Sequence, residues 1–192
     1  MTTDRSEITD ALVFAMERGR EMISHGGGFG YGVAELFDGD GRLVLIRPFW
    51  NTILDKGDEY HATRVIAAVS PSNTADITKM TGMQIGSNST AVNKGAGTGI
   101  AMGTLLAGQA FDASYPQTAN LGTNLGWNAI YKTTYAAGTG TSATVQEATL
   151  TNGTIGSGST SSNTQARTVF TAINKGALDT LAITWNTKFL GT

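Results

Sequence analysis

The chain has 192 residues, with 13 Lys and Arg against 15 Asp and Glu, a formal net charge of -2 and no cysteine. That length supports one domain with a real core, or one domain with an appendage. The missing cysteines exclude disulfides, Cys-ligated zinc and thiol catalysis and fit synthesis in a reducing cytoplasm. Lys and Arg nowhere cluster, which argues against nucleic acid, and no apolar run is long enough to span a bilayer as a helix.

The chain opens with "MTTDRSEITD", polar and acidic, which does not read as a signal peptide. Over 6–24, Ile8, Leu12, Ala15 and Met16 recur at helical spacing, with Ser6 or Thr9 as a cap. The glycines of "HGGGFGYG" (25–32) end that helix. They do not fit a dinucleotide fingerprint, which needs G-x-G-x-x-G after a strand. Residues 1–32 therefore read as an N-terminal helix with a Gly-rich arm, and 33–192 as the main domain, with a possible sub-boundary near 70.

Residues 33–51 read as a β-hairpin about "DGDG". Asp38 and Asp40 have the first spacing of a calcium loop. The loop then fails at Arg42 and at Phe49, where a bidentate Glu is needed. A short helix is expected from about Asp58. "MTGMQIG" reads as a short strand, and "NKGAGTG" as a flexible loop without the G-K-[ST] of a phosphate loop. Trp127, Ala129 and Tyr131 alternate with Asn128, Ile130 and Lys132. They open a strand–turn–strand unit that turns at "AAGTGTS" and continues in "ATVQEATLTN". "GTIGSGSTSSNTQ" is expected as a projecting tip. "ARTVFTAINKGALDTLAITWNTKF" reads as a further hairpin turning at "NKGALD". In its last strand Leu181, Ile183, Trp185 and Phe189 fall on one face, and Thr180, Ala182, Thr184, Asn186 and Lys188 on the other. The fold expected is mainly β: a β-sandwich, jelly-roll-like or Greek-key, with an N-terminal helix or arm.

Catalytic motifs do not emerge. His25 and His61 stand at no ligand spacing, no G-x-S-x-G elbow occurs, and Glu35, Asp38 and Asp40 crowd a turn where solvation explains them. Residues 1–64 hold 7 Lys/Arg and 11 Asp/Glu, whereas 65–192 hold 6 and 4. The larger part is thus coated with Thr, Ser, Asn, Gly and Ala, a surface that does not repel a neighbour. No catalytic, cofactor-binding or metal-binding residue is assigned. Core or interface candidates are Trp185, Phe189, Trp127, Tyr131, Phe170 and Ile183.

Several segments carry a resemblance. "RTVFTAINKGALDTLAITWNTKF", "FWNTILDKGDEYHATRVI", "MTGMQIGSNSTA" and "GWNAIYKTTYAAGTGT" resemble the segments of small tailed-bacteriophage virion proteins, the capsid decoration (cement), head-fibre and tail-fibre group. The likeness is a pattern of short segments over about 49–189. It implies a β-sandwich homotrimer on the outer capsid surface of the virion, with the major capsid protein and itself as partners. It implies no cofactor, no nucleic acid and no membrane. Residues 1–32 are the candidate docking arm. Alternatives are a tail or neck fibre protein, or a carbohydrate-binding module that uses its tryptophans as stacking platforms.

Overall fold

The computed structural model describes residues 29–66, 79–94, 105–122, 126–158 and 163–189. The N-terminal helix expected over 6–24 lies outside them, as does most of the "NKGAGTG" loop.

Nine strands form one antiparallel sheet: β1 (Phe29–Phe37), β2 (Leu43–Ile53), β3 (Gly82–Gly86), β4 (Leu105–Ala110), β5 (Gln117–Asn120), β6 (Trp127–Tyr135), β7 (Ser142–Thr151), β8 (Thr164–Lys175) and β9 (Thr180–Phe189). A single helix among the described residues, α1 (Asp55–Ile66), follows β2. The spatial order is β4-β3-β7-β8-β2-β1-β9-β6-β5. The expectation of a mainly β fold holds.

The sheet curls back on itself. β2 keeps register with β1 as far as Asn51, then pairs with β8 at Thr52 and Ile53. That corner divides a front half (β5-β6-β9-β1-β2) from a back half (β4-β3-β7-β8). Asp112, just past β4, ties the far edges together. Its N–H donates to Lys132 O at 2.9 Å, and its carboxylate accepts from Thr134 N (2.8 Å) and Oγ1 (2.7 Å).

Four sequence-adjacent pairs are true hairpins: β1–β2, β3–β4, β5–β6 and β7–β8. They alternate front, back, front, back. β9 then inserts between β1 and β6. The turns at "AAGTGTS" and "NKGALD" are therefore not hairpin turns. β6 and β7 lie in different halves, and so do β8 and β9. Loops of this length leave the chain room to cross between layers, where a two-residue turn would force adjacent pairing.

β9 shows why the chain folds this way. Its odd-numbered residues meet the back half: Leu181, Ile183 and Trp185 are fully buried. Phe49 packs edge-on to Trp185 at 5.2 Å and stacks on Phe170 at 5.7 Å, and the Tyr135 hydroxyl crosses the core to Met83 O at 2.9 Å. Emptying a site of Trp185's kind costs about 3–5 kcal/mol. Gly32 is required opposite Trp185, because a Cβ there would lie 2.3 Å from Phe49 and 2.6 Å from Thr184 O.

The back half is covered on its outside. Gln84 Nε2 donates to Thr154 O, Ile155 O and Ser157 O, so residues 152–158 lie against β3 instead of projecting as a tip. Glu147 and Arg167 form a buried ion pair, with Arg167 Nη2 2.8 Å and Nε 3.0 Å from Glu147 Oε2. The remaining polar atoms of the pair hold segment 87–94: Asn88 N donates to Glu147 Oε1 and Arg167 Nη1 to Thr90 O, both at 3.1 Å.

Candidate binding and assembly surfaces

The described acids past residue 64 all serve structure. Asp112 binds the Thr134 backbone and hydroxyl, Glu147 pairs with Arg167, and Asp179 Oδ2 accepts from Gly176 N at 2.7 Å. Asp76 lies outside the described residues. Asp38 Oδ1 caps its own turn, accepting from Asp40 N (3.0 Å) and Arg42 N (2.9 Å). Among the described residues no three His, Asp or Glu side chains gather as a metal site. None of the helices described is long and apolar enough to cross a membrane.

The six sequence-predicted residues divide. Trp185, Ile183, Tyr131 and Phe170 belong to the core. Burial pushes the Tyr131 hydroxyl well above its ordinary range, with Tyr60 adding to the shift. Trp127 and Phe189 are the exposed pair, at 54% and 43%, and they are Cα partners on β6 and β9. Phe189 thus departs from the buried face predicted for it: it is the last residue of β9 and packs edge-on to His61 of the helix.

Two surfaces result. The first is the outer face of the front half. Register places Trp50, Tyr31, Asn186, Ile130 and Gln117 in one row across five strands. The next row holds Pro48, Val33, Thr184 and Lys132. The Tyr31 and Trp50 rings lie 6.0 Å apart and Lys188 Nζ sits 5.0 Å from the Tyr31 ring centre. Asn128 Nδ2 donates to Asn186 Oδ1 at 2.7 Å. The face carries three charges, Glu35, Lys132 and Lys188, with Lys132 the direct cross-strand partner of Thr184.

The second is the end capped by α1. Leu54 N donates to Gln165 O at 3.0 Å, and α1 passes so close to β8 that a Cβ on Gly57 would lie 2.3 Å from Gln165 O. His61 packs edge-on to Phe189 at 5.0 Å and to Tyr60 at 5.4 Å. Gln165 Nε2 lies 2.6 Å from His61 Nε2, so the amide and the ring are within hydrogen-bond distance. Burial lowers the His61 pKa below 6.5, opposed by the charge of Asp58. One row inward from Trp127 and Phe189, register aligns Asn51, Gly30, Thr187 and Ala129. Asn51 Nδ2 and Oδ1, Thr187 Oγ1 and, one row further, Trp185 Nε1 are buried without hydrogen-bond partners.

Sequence reasoning missed Asn51 and Thr187. The signal was present: Asn51 shares the parity of Phe49 and Ile53, and Thr187 that of Trp185 and Phe189, so each puts a polar group on an inward position.

No family model, curated protein or solved structure matches this chain.

Proposed function

We propose that the chain is a non-enzymatic structural subunit of a tailed-phage virion: a decoration protein that self-associates as a homotrimer and binds the major capsid protein on the outer shell. The observation that carries the reading is the outer face of the front half. It has an aromatic pair, Tyr31 and Trp50, beside Thr184 and the mutually bonded amides of Asn186 and Asn128, with Lys132 next to Thr184 and Glu35 and Lys188 further out. Interfaces favour this composition, with aromatic residues enriched and charge depleted at the centre. The segment resemblance described above supplies the virion context.

In this reading the Thr184–Asn186 stripe, the polar side of the last strand, meets a neighbouring copy. Closure about a threefold axis repeats one heterologous contact three times. A trimer seated where capsid subunits meet engages several at once. Each contact can then be weak, because the first raises the effective concentration of the others.

The test is copy number per virion, by quantitative mass spectrometry of purified particles against the major capsid protein. A simple lattice proportion supports decoration. Copies confined to a single ring or vertex assign the chain to a neck or tail fibre, and none at all discards the virion reading.

A further inference from the structure

We propose that the α1-capped end of the sandwich binds a neutral sugar ring, one unit of an uncharged oligosaccharide, between the Trp127–Phe189 lip and the Asn51–Thr187 row beneath it. Two independent observations meet there. The lip exposes two large aromatic side chains on adjacent strands, where a sandwich interior would ordinarily close. One row deeper on the same inner face, Asn51 (7% exposed) and Thr187 (1% exposed) bury polar atoms that have no partner.

The arrangement is held by backbone. Asn51 lies directly over Gly30, where a Cβ would come 2.0 Å from Oδ1, and Thr187 stands on the other side of the same glycine. An unpaired buried amide or hydroxyl is costly, and native interiors rarely keep several together without a partner to satisfy them.

The chemistry of the set selects the ligand. Asn51 offers a donor and an acceptor, the Thr187 hydroxyl offers both, and the Trp185 indole offers a donor. These match hydroxyl groups, which also donate and accept. The lip supplies two exposed aromatic side chains for the C–H side of a sugar, and His61 and Tyr60 pack on the Phe189 side. A phosphate or carboxylate ligand would call for a cation, and a metal ion for carboxylates. Neither kind of side chain belongs to this set. A purely apolar ligand would leave the row unpaired.

The experiment uses the full chain, isotopically labelled, titrated separately with maltotriose, cellotriose and chitotriose to about 10 mM, well above the dissociation constant of a millimolar site. The expected result is that at least one sugar shifts the Asn51 side-chain amide and the Trp185 indole N–H resonances and quenches Trp127 fluorescence. Thr187→Val, nearly isosteric, should weaken that binding about tenfold without lowering the melting temperature. Asn51→Leu and Trp127→Ala give the same loss from the row and the lip. Thr184→Arg, on the opposite face of β9, should leave sugar binding intact whether or not the chain self-associates. The proposal is overturned if no sugar moves these resonances, if the shifts centre on Trp50 instead, or if Thr187→Val and Asn51→Leu bind as the parent does.

Discussion

The two ends of the sandwich are built from the same strands and treat their polar groups in opposite ways. At the turn end, two loops are laced together and a third is closed on itself. Lys175 Nζ donates to Ala136 O (3.1 Å) and Asp179 O (2.7 Å), Gly138 N donates to Ala177 O (2.8 Å), and Asp38 caps its own turn. The exposed apolar side chains there are Leu178, at 74% on its turn, and the neighbouring Leu43 and Val44 at the start of β2. At the helix end, Asn51, Thr187 and Trp185 hold unpartnered polar atoms beneath an exposed aromatic pair. Hydrogen-bonded polar groups at one end hold the fold, and the unpartnered Asn51–Thr187 row at the other is the feature on which the proposed sugar site rests. Mutations should separate the two.

The largest effect calibrates the comparison from outside both ends. Glu147→Ala strands Arg167 in a site where its side chain is 2% exposed and releases segment 87–94. The expected loss is about 3–5 kcal/mol, read by urea denaturation. At the turn end, Lys175→Ala removes the donor shared by two loops and should cost about 1–3 kcal/mol in the same assay.

The helix end should respond to pH. Burial lowers the His61 pKa from 6.5, so between that value and the folded pKa the unfolded chain binds more protons. The stability contributed by neutral His61 is therefore complete above about pH 6.5 and lost as pH falls through that window. His61→Gln should flatten this part of a melting-temperature profile while leaving the Glu147→Ala deficit unchanged. The smallest expected change has the opposite sign. Thr187→Val should leave stability level or raise it by up to about 1 kcal/mol, since it removes a buried hydroxyl that has no partner. A loss of more than about 2 kcal/mol would show that the hydroxyl is structurally engaged and would erase the contrast between the ends.

How much of this was legible in the sequence follows from range. The "DGDG" turn, the strand through Trp127–Tyr135, a helix expected from about Asp58 and begun at Asp55, and the buried side of β9 as far as Trp185 rest on local chemistry, and the structure has each of them. Strand pairing does not rest on local chemistry. β8 and β9 are consecutive, yet β9 pairs with β1 and β6, both far back along the chain. Nothing in "NKGALD" distinguishes a turn that stays in its layer from one that crosses. The Glu147–Arg167 pair and the alignment of Asn51 with Thr187 depend on those crossings, so they surface only once the sheet is assembled. Parity alone marks Asn51 and Thr187 as inward polar residues. It cannot say that register brings them to either side of Gly30.

The most direct test of the central claim, self-association through the outer front face, is sedimentation equilibrium of the full chain beside Thr184→Arg. A trimer gives a parent mass three times the 20.0 kDa of one chain. The variant is expected to be a folded monomer, because the introduced guanidinium would add a second cation beside Lys132 in the middle of the face without touching the core. A monomeric parent, or a variant that still forms the trimer, would contradict it.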